Sequence, residues 1–202
     1  MMGYIYDQKG WPKFHWRLEF LSGQLASVRH SQGRLIGRME GIGLARRAEA
    51  TLQTLTEDVL KSSEIEDEVL DKEQVRSALA RRLGMDTGAL TPADRQVDGV
   101  VAMMVDATQQ YDTKLTVERL FDWHAALFPT GRRGMSQVTA GAWRTDSTGP
   151  MQVVSGLAGR ERVHYQAPEA GRLDQEMRAF LDWFNAGDQF DPVMKAGVAH
   201  LW

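Results

Sequence analysis

Cysteine is absent from the 202-residue chain. Disulfides and thiolate metal sites are thereby excluded, and a reducing compartment, or indifference to redox conditions, is implied. Long hydrophobic runs are lacking as well. The longest, GVVAMMV, falls far short of a membrane span. No sign of charge dominates: 24 Lys and Arg stand against 27 Asp and Glu, a formal net charge of −3, so no broad basic field invites nucleic acid or anionic lipid. The first residues, MMGYIYDQKGWPKF, have no basic stretch leading into an apolar one and do not read as a secretory signal. No repeat or low-complexity segment is visible. What is left is the composition of an ordinary globular protein, 43% hydrophobic and 25% charged, long enough for one large or two small domains. A cytoplasmic protein without nucleic-acid or membrane partners is expected.

Chemical signatures are equally sparse. The five histidines, His15, His30, His124, His164 and His200, show no metal-ligand spacing. There is no Walker loop, no Gly-x-Gly-x-x-Gly and no Gly-x-Ser-x-Gly. Arg132 and Arg133 sit in a glycine loop that could hold a phosphate but reads more simply as a solvated turn. No catalytic residue and no metal ligand is assigned from these residues.

What is present is helical periodicity. The pattern predicts an irregular aromatic arm to about Lys13, carrying Tyr4, Tyr6 and Trp11. A helix follows from Phe14 to Met39, with Leu18, Leu21, Leu25 and Val28 on one face, weakened at Gly33 and Gly37 and ended by Gly41 and Gly43. A second helix is expected over Ala45–Lys61 on the stripe Leu52, Leu55, Val59 and Leu60. In LKSSEIEDEVLDKEQV, Ser63 and Glu66 form a Ser-x-x-Glu capping box. It predicts a third helix running to Leu83, with Ile65, Val69, Val75, Leu79 and Leu83 inward. The glycines and Thr-Pro pair of GMDTGALTPADRQ read as a linker over 85–91 between a domain at 1–84 and another at 92–202. Helices are then expected over Pro92–Tyr111, capped by Thr91, and over Thr116–Phe128. A hairpin near 138–167 contains MQVV and RVHYQA. Past Pro168 comes a helix with Leu173, Met177, Phe180, Leu181 and Phe184 on its apolar stripe. A last helix is capped by Asp191 with Pro192 at its first position. It ends on Val198, Ala199, His200, Leu201 and Trp202 without a cap. That reads either as a helix docked by Trp202 or as a core element cut short, and the missing cap favours the second. The fold class expected is all-α with one β-hairpin.

Several of these stretches, in this order, resemble the Fic family of AMP-transferring enzymes. KSSEIED resembles the family's inhibitory helix, Ser/Thr-x-x-x-Glu-Gly/Asn, with Ser62 and Glu66 in its fixed places. LTVERLFDWHAALFP, AGAWRT, VHYQAPEAGRLDQEMRAFLDWFN and DPVMKAGVAHLW resemble the helices and hairpin that lead to the Fic active site. GYIYDQKGWPKFHWR resembles an uncharacterised domain that precedes Fic domains in many bacterial proteins. The family's catalytic motif, His-Pro-Phe-x-Asp/Glu-Gly-Asn-Gly-Arg, is not in this sequence, and His200 is not its histidine.

The resemblance implies an incomplete Fic-like helical core and an inhibitory helix near 60–83. The chain would be the N-terminal part of a self-inhibited enzyme that moves AMP from ATP, with Mg²⁺, to a Ser, Thr or Tyr hydroxyl of a target protein. Transfer of another nucleotide-derived group stays open. Val153, Val154, Ser155 and Gly156 match the family's flap, which lines the nucleotide and pairs with the target backbone. Glu66 would compete with the γ-phosphate for an arginine that follows the missing motif. Asp67 departs from the family's Gly or Asn. These 202 residues alone are expected to be inactive and to bind no nucleotide tightly. A homodimer is plausible. The rival readings are a non-catalytic helical interaction module and an inhibitor acting in trans on a separate Fic chain.

Overall fold

Apolar residues spaced by three and four dictate helices here, and helices form most of the chain. The computed structural model describes residues 3–85, 91–133, 136–147, 149–157, 159–187 and 191–202. Over these residues the helices are α1 (Leu18–Glu40), α2 (Leu44–Ile65), α3 (Lys72–Arg82), α4 (Arg95–Gln109), α5 (Val117–Leu127), α6 (Leu173–Asn185) and α7 (Pro192–Leu201). The strands are β1 (Arg132–Arg133), β2 (Ser136–Gln137), β3 (Gln152–Ser155) and β4 (Arg162–Gln166). The chain is mostly helical with a small antiparallel hairpin, β3–β4, as expected. A minimal second ladder, β1–β2, stands where the sequence reads as a plain loop.

The chain divides into two compact units, one of residues 1–25 and 143–202, the other of residues 26–142. The division expected at 84 and 92 follows different lines, because α2, α3 and α4 share one core. Leu52, Leu55 and Val59 of α2 are buried with Val75, Ala78 and Leu79 of α3 and Val97 and Val101 of α4. Residues 86–90 of the expected linker lie outside the described residues.

Element boundaries moved where side chains offered a better cap. α1 begins at Leu18 rather than Phe14, since Phe14 packs edge-on against Trp11 at 5.6 Å. Gly33 and Gly37 do not interrupt it: each weakens a helix by about 1 kcal/mol without breaking its hydrogen bonds. α4 is capped by Asp94, whose carboxylate accepts the Val97 amide at 2.8 Å, and not by Thr91. Thr116 and Asp191 cap α5 and α7 as expected, accepting amides at 3.2 and 2.8 Å.

Within the 26–142 unit, α4 and α5 are locked by two features. The first is Gly99. A Cβ there would stand 1.8 Å from the Ala126 carbonyl oxygen of α5. Only a residue without a side chain lets the two backbones approach that closely. The second is Asp106 of α4, which accepts from Arg119 Nε and Trp123 Nε1 of α5, both at 2.7 Å. Arg119 also donates to the carbonyls of Asp106 in the last turn of α4 and of Gln110 and Thr113 beyond it, fixing the segment that leads to α5. Partial burial pushes the Asp106 carboxyl up. The Arg119 and Trp123 hydrogen bonds and the guanidinium charge outweigh it and hold the group below its ordinary 3.8.

In the other unit, the N-terminal arm packs on the hairpin and on α6. Tyr4 and Tyr6 stack at 5.4 Å, and Tyr4 meets Tyr165 of β4 edge-on at 5.3 Å. Trp11 donates to Glu176 of α6 at 3.1 Å and faces Trp202 at 5.8 Å. Trp202 also packs on Phe180 and Trp183, joining α6 and α7.

Two outcomes are expected. Gly99→Ala, a change that ordinarily favours a helix, should here destabilise the protein by about 1–3 kcal/mol or more through backbone overpacking, read as a lowered midpoint of urea unfolding. Asp106 contributes stability that is complete above its unfolded value and is lost as pH falls through its lower folded value. The stability difference between native protein and Asp106→Asn should therefore shrink between pH 7 and strong acid, measured by thermal melting.

Candidate functional site

The stripe that builds α2 also decides where it ends. Leu52, Leu55, Thr56, Val59 and Ser63 recur on one face and are all buried, Ser63 at 8% exposure. The Ser63 carbonyl accepts the amides of Glu66 at 3.0 Å and Glu68 at 2.9 Å, and the Glu64 carbonyl accepts the Asp67 amide at 3.1 Å. With Asp67 at φ 59°, this is a Schellman end: a left-handed residue follows the C-cap, Glu66, and the next amide reaches back across the turn. Asp and Asn are the residues other than Gly that visit this conformation most readily.

The capping-box expectation is therefore corrected. Ser62 and Ser63 lie in the last turn of α2, and Glu66 ends that helix instead of starting another. The segment 60–83 is two helices separated by a turn. The second starts at Lys72, capped by Asp71, which accepts the Gln74 amide at 2.9 Å. Ile65 and Val69, expected inward, are 81% and 93% exposed because the turn swings them away from the core. Val75 and Leu79 are buried as expected, and Leu83 is half-buried against the same core.

Ser62 and Glu66 are one turn apart on α2, both exposed, and share a face. Around them the C-terminal end of α2 is acidic: Glu64, Glu66, Asp67 and Glu68 stand within five residues. Lys61 pairs with Glu64 at 2.6 Å, and Gln96 of α4 donates to Glu68 at 3.0 Å. Carboxylates at a helix C-terminus oppose the helix dipole, typically by 0.3–1 kcal/mol each. The cluster is thus an expense to the helix and a place where a cation is welcome.

Val153, Val154, Ser155 and Gly156 lie on β3 and its turn, in the other compact unit. Val153 and Val154 are 55% and 47% exposed, on opposite faces of the strand. β3 pairs only with β4 among the described residues, so its other edge is open. Val153 lies opposite Tyr165 and Val154 opposite Val163, which leaves His164 as the extra residue of a bulge. The His164 ring then meets the Ser155 hydroxyl at 2.6 Å. Gly156, at φ 112°, leaves the strand where a Cβ would stand 2.7 Å from the Arg160 carbonyl oxygen. Glu161 closes the turn by accepting the Gly159 amide at 2.9 Å, an interaction that lowers its carboxyl below the ordinary value. The Tyr6 hydroxyl donates to the Gln166 carbonyl and fastens β4 to the arm. Burial, then the charge of Asp7, raises that hydroxyl above its ordinary value, so it stays a donor.

Sequence reasoning missed three participants: Asp67 as a left-handed residue, His164 as a bulge, and Tyr6 as the hairpin's anchor. Two signals were available. The α2 stripe extends by four residues to Ser63, and Asp71-x-x-Gln74 is itself a cap pattern.

Among the described residues no three His, Asp or Glu side chains gather into a metal-holding group. The sequence contains no glycine-rich anion cradle. No chemical step is derived for these residues. No described helix is long and apolar enough to cross a membrane.

Residues 4–85 match the model of a family described as Domain of unknown function (DUF4172). The matched stretch takes in the aromatic arm, α1, α2, the Schellman turn and α3. Among curated proteins none matches the chain.

The turn yields a direct test. Asp67→Gly should leave stability unchanged or raised, whereas Asp67→Val should lower it by about 1–2 kcal/mol, the penalty of a left-handed β-branched residue. Chemical denaturation of the two variants would measure both.

Proposed function

We propose that this chain is the regulatory and target-docking part of a self-inhibited Fic-type enzyme that transfers AMP from ATP to a hydroxyl of a protein. The observation that carries the reading is the Schellman turn at Ser62-x-x-x-Glu66-Asp67. The Fic inhibitory pattern has Gly or Asn after its glutamate, and here that place is left-handed, with φ 59°. A left-handed requirement accounts for Gly and Asn in the pattern and admits Asp with them. Asp67 thus departs in charge but agrees in conformation.

Glu66 has the chemistry for the role. It is an exposed carboxylate at a helix end already crowded with negative charge. A guanidinium brought to it gains a bidentate ion pair and relieves the repulsion among its neighbours. An arginine so engaged is not available to a γ-phosphate. In this reading Ser62, one turn earlier on the same face, positions the end of the helix.

The hairpin is read as the docking element. Its open edge offers unpaired backbone groups to an extended target segment, and Val153 and Val154 offer side-chain contacts on either face. The flap would also line the nucleotide, while its phosphates and Mg²⁺ would be held by the catalytic motif, which this sequence does not contain, acting in a cytoplasmic enzyme. The 1–202 protein alone should transfer no AMP.

The deciding experiment compares the full natural gene product with its Glu66→Gly variant in transfer of labelled AMP from ATP to protein. A rise of tenfold or more in Glu66→Gly, with a smaller rise in Ser62→Ala, is expected. Equal labelling overturns self-inhibition by Glu66. No labelling in any form overturns AMP transfer itself.

A further inference from the structure

The glycine loop after α5 is held in place by its own backbone. The Gly131 amide, at φ 64°, donates to the Phe128 carbonyl, and the Gly131 carbonyl accepts from Val138, both at 2.9 Å. Arg132 then pairs across the short ladder with Gln137. This puts Arg132 on the wall of a cleft of about 230 Å³. The other walls are Glu68 in the turn after α2, Arg95 and Gln96 in the first turn of α4, and residues 127–130 at the end of α5. All of them belong to the 26–142 unit, so the cleft is set by packing inside that unit. Arg95 is fixed from its own side: the Asp94 amide before it donates to Gln74 of α3 at 2.9 Å, and Gln96 after it donates to Glu68 at 3.0 Å.

The two guanidiniums differ from their neighbours in what they hold. Arg76, Arg81 and Arg119 of the same unit each have a carboxylate, at 2.9, 2.7 and 2.7 Å. Among the described residues neither Arg95 nor Arg132 has an ion pair or a side-chain hydrogen bond. Two like charges on one small cleft repel each other, and an anion between them turns that repulsion into attraction. One planar fork satisfies a carboxylate, whereas two forks together match the larger set of oxygens on a phosphoryl group. Thr130 adds a hydroxyl to the lining, and Leu127, Phe128 and Pro129 make it apolar beside the arginines. A bare inorganic ion would leave that apolar surface wet. The cleft is smaller than the roughly 300–1,000 Å³ of drug-sized sites, which limits the ligand to a phosphoryl group on one compact apolar body.

We propose that this cleft binds a small phosphomonoester, with its phosphoryl group between Arg95 and Arg132 and its apolar body against Phe128. Glu68 opposes the bound anion and holds the affinity down.

Phenyl phosphate is the probe. Isothermal titration into the 1–202 protein should give saturable one-to-one binding with a Kd below about 1 mM, and inorganic phosphate should bind about tenfold more weakly. Arg95→Gln and Arg132→Gln should each weaken phenyl phosphate about tenfold or more by removing charge-assisted hydrogen bonds, with the fold checked by circular dichroism. Glu68→Gln should tighten it about threefold by removing the opposing charge, a gain that misfolding would not imitate. Absence of saturable binding, or binding indifferent to all three substitutions, overturns the proposal. Equal affinity for inorganic phosphate overturns the contact with Phe128. Binding of a phosphotyrosine peptide without binding of phenyl phosphate overturns the small ligand in favour of a protein partner.

Discussion

Two amides converging on the Ser63 carbonyl, from Glu66 and Glu68, settle where α2 stops and in which direction the chain leaves it. Had the helix continued past Glu66, the next apolar residues would have stayed on its own surface. Because it ends there, Leu70 reaches the core and Asp71 can cap α3. Val75 and Leu79 then land on the stripe of Leu52, Leu55 and Val59, and α4 closes over both. Gln96 reaches back from α4 to Glu68 and ties the turn to the third helix. The core of the 26–142 unit is thus a consequence of one helix end.

That helix end is also the least comfortable part of the unit. A non-glycine residue is held at positive φ, and carboxylates gather where the helix dipole is negative. Natural sequences agree with their folds at most levels, and local conflicts concentrate where function is imposed. Among the described residues, Asp67 is the one non-glycine residue at positive φ. Exposed pairs such as Lys72–Glu57 and Arg76–Glu49 follow ordinary charge complementarity and contribute little. The contrast between a well-matched scaffold and a strained acidic tip supports the proposed role of the α2 end as a displaceable, cation-seeking element.

How much of this could be seen in the residues depends on the range of the interaction. Periodicity marked α2 and α4 among the described residues, because a stripe of three-and-four spacing is a local signal. The hairpin was legible from β-branched residues between glycines. The end of α2 was not, because Ser63-x-x-Glu66 satisfies the pattern of a helix start as well as it fits the last turn before a Schellman end. Only tertiary burial of Ser63 decides between them. The approach of Gly99 to Ala126 was invisible for a similar reason: a glycine inside an apolar helix reads as a weakness until the neighbouring backbone is known. In the candidate site, the Ser62 and Glu66 places were assigned by resemblance, while the left-handed conformation of Asp67 beside them needed the structure.

An inhibitory carboxylate has to meet two opposing demands. It must be presented at a fixed place, or it cannot compete with a phosphate; and it must be removable, or the enzyme never acts. In the proposed reading, the α2 end divides these demands between its two faces. Inward, Val59 and Ser63 are buried and hold the last turn to α3 and α4. Outward, Ser62, Ile65, Glu66 and Asp67 are exposed, and the turn beyond them is secured by few amide bonds. Few buried contacts mean a low free energy of local opening. In the proposed reading, the residues beyond Ser63 are the part that can open while Val59 and Ser63 stay packed, so a ligand competing for the same guanidinium would have only that turn to displace. Moving the carboxylate two turns back, to the level of the buried Val59, would couple its release to loss of the core. On this reading the position of Glu66 at the C-cap, and not merely its charge, is what makes the inhibition reversible.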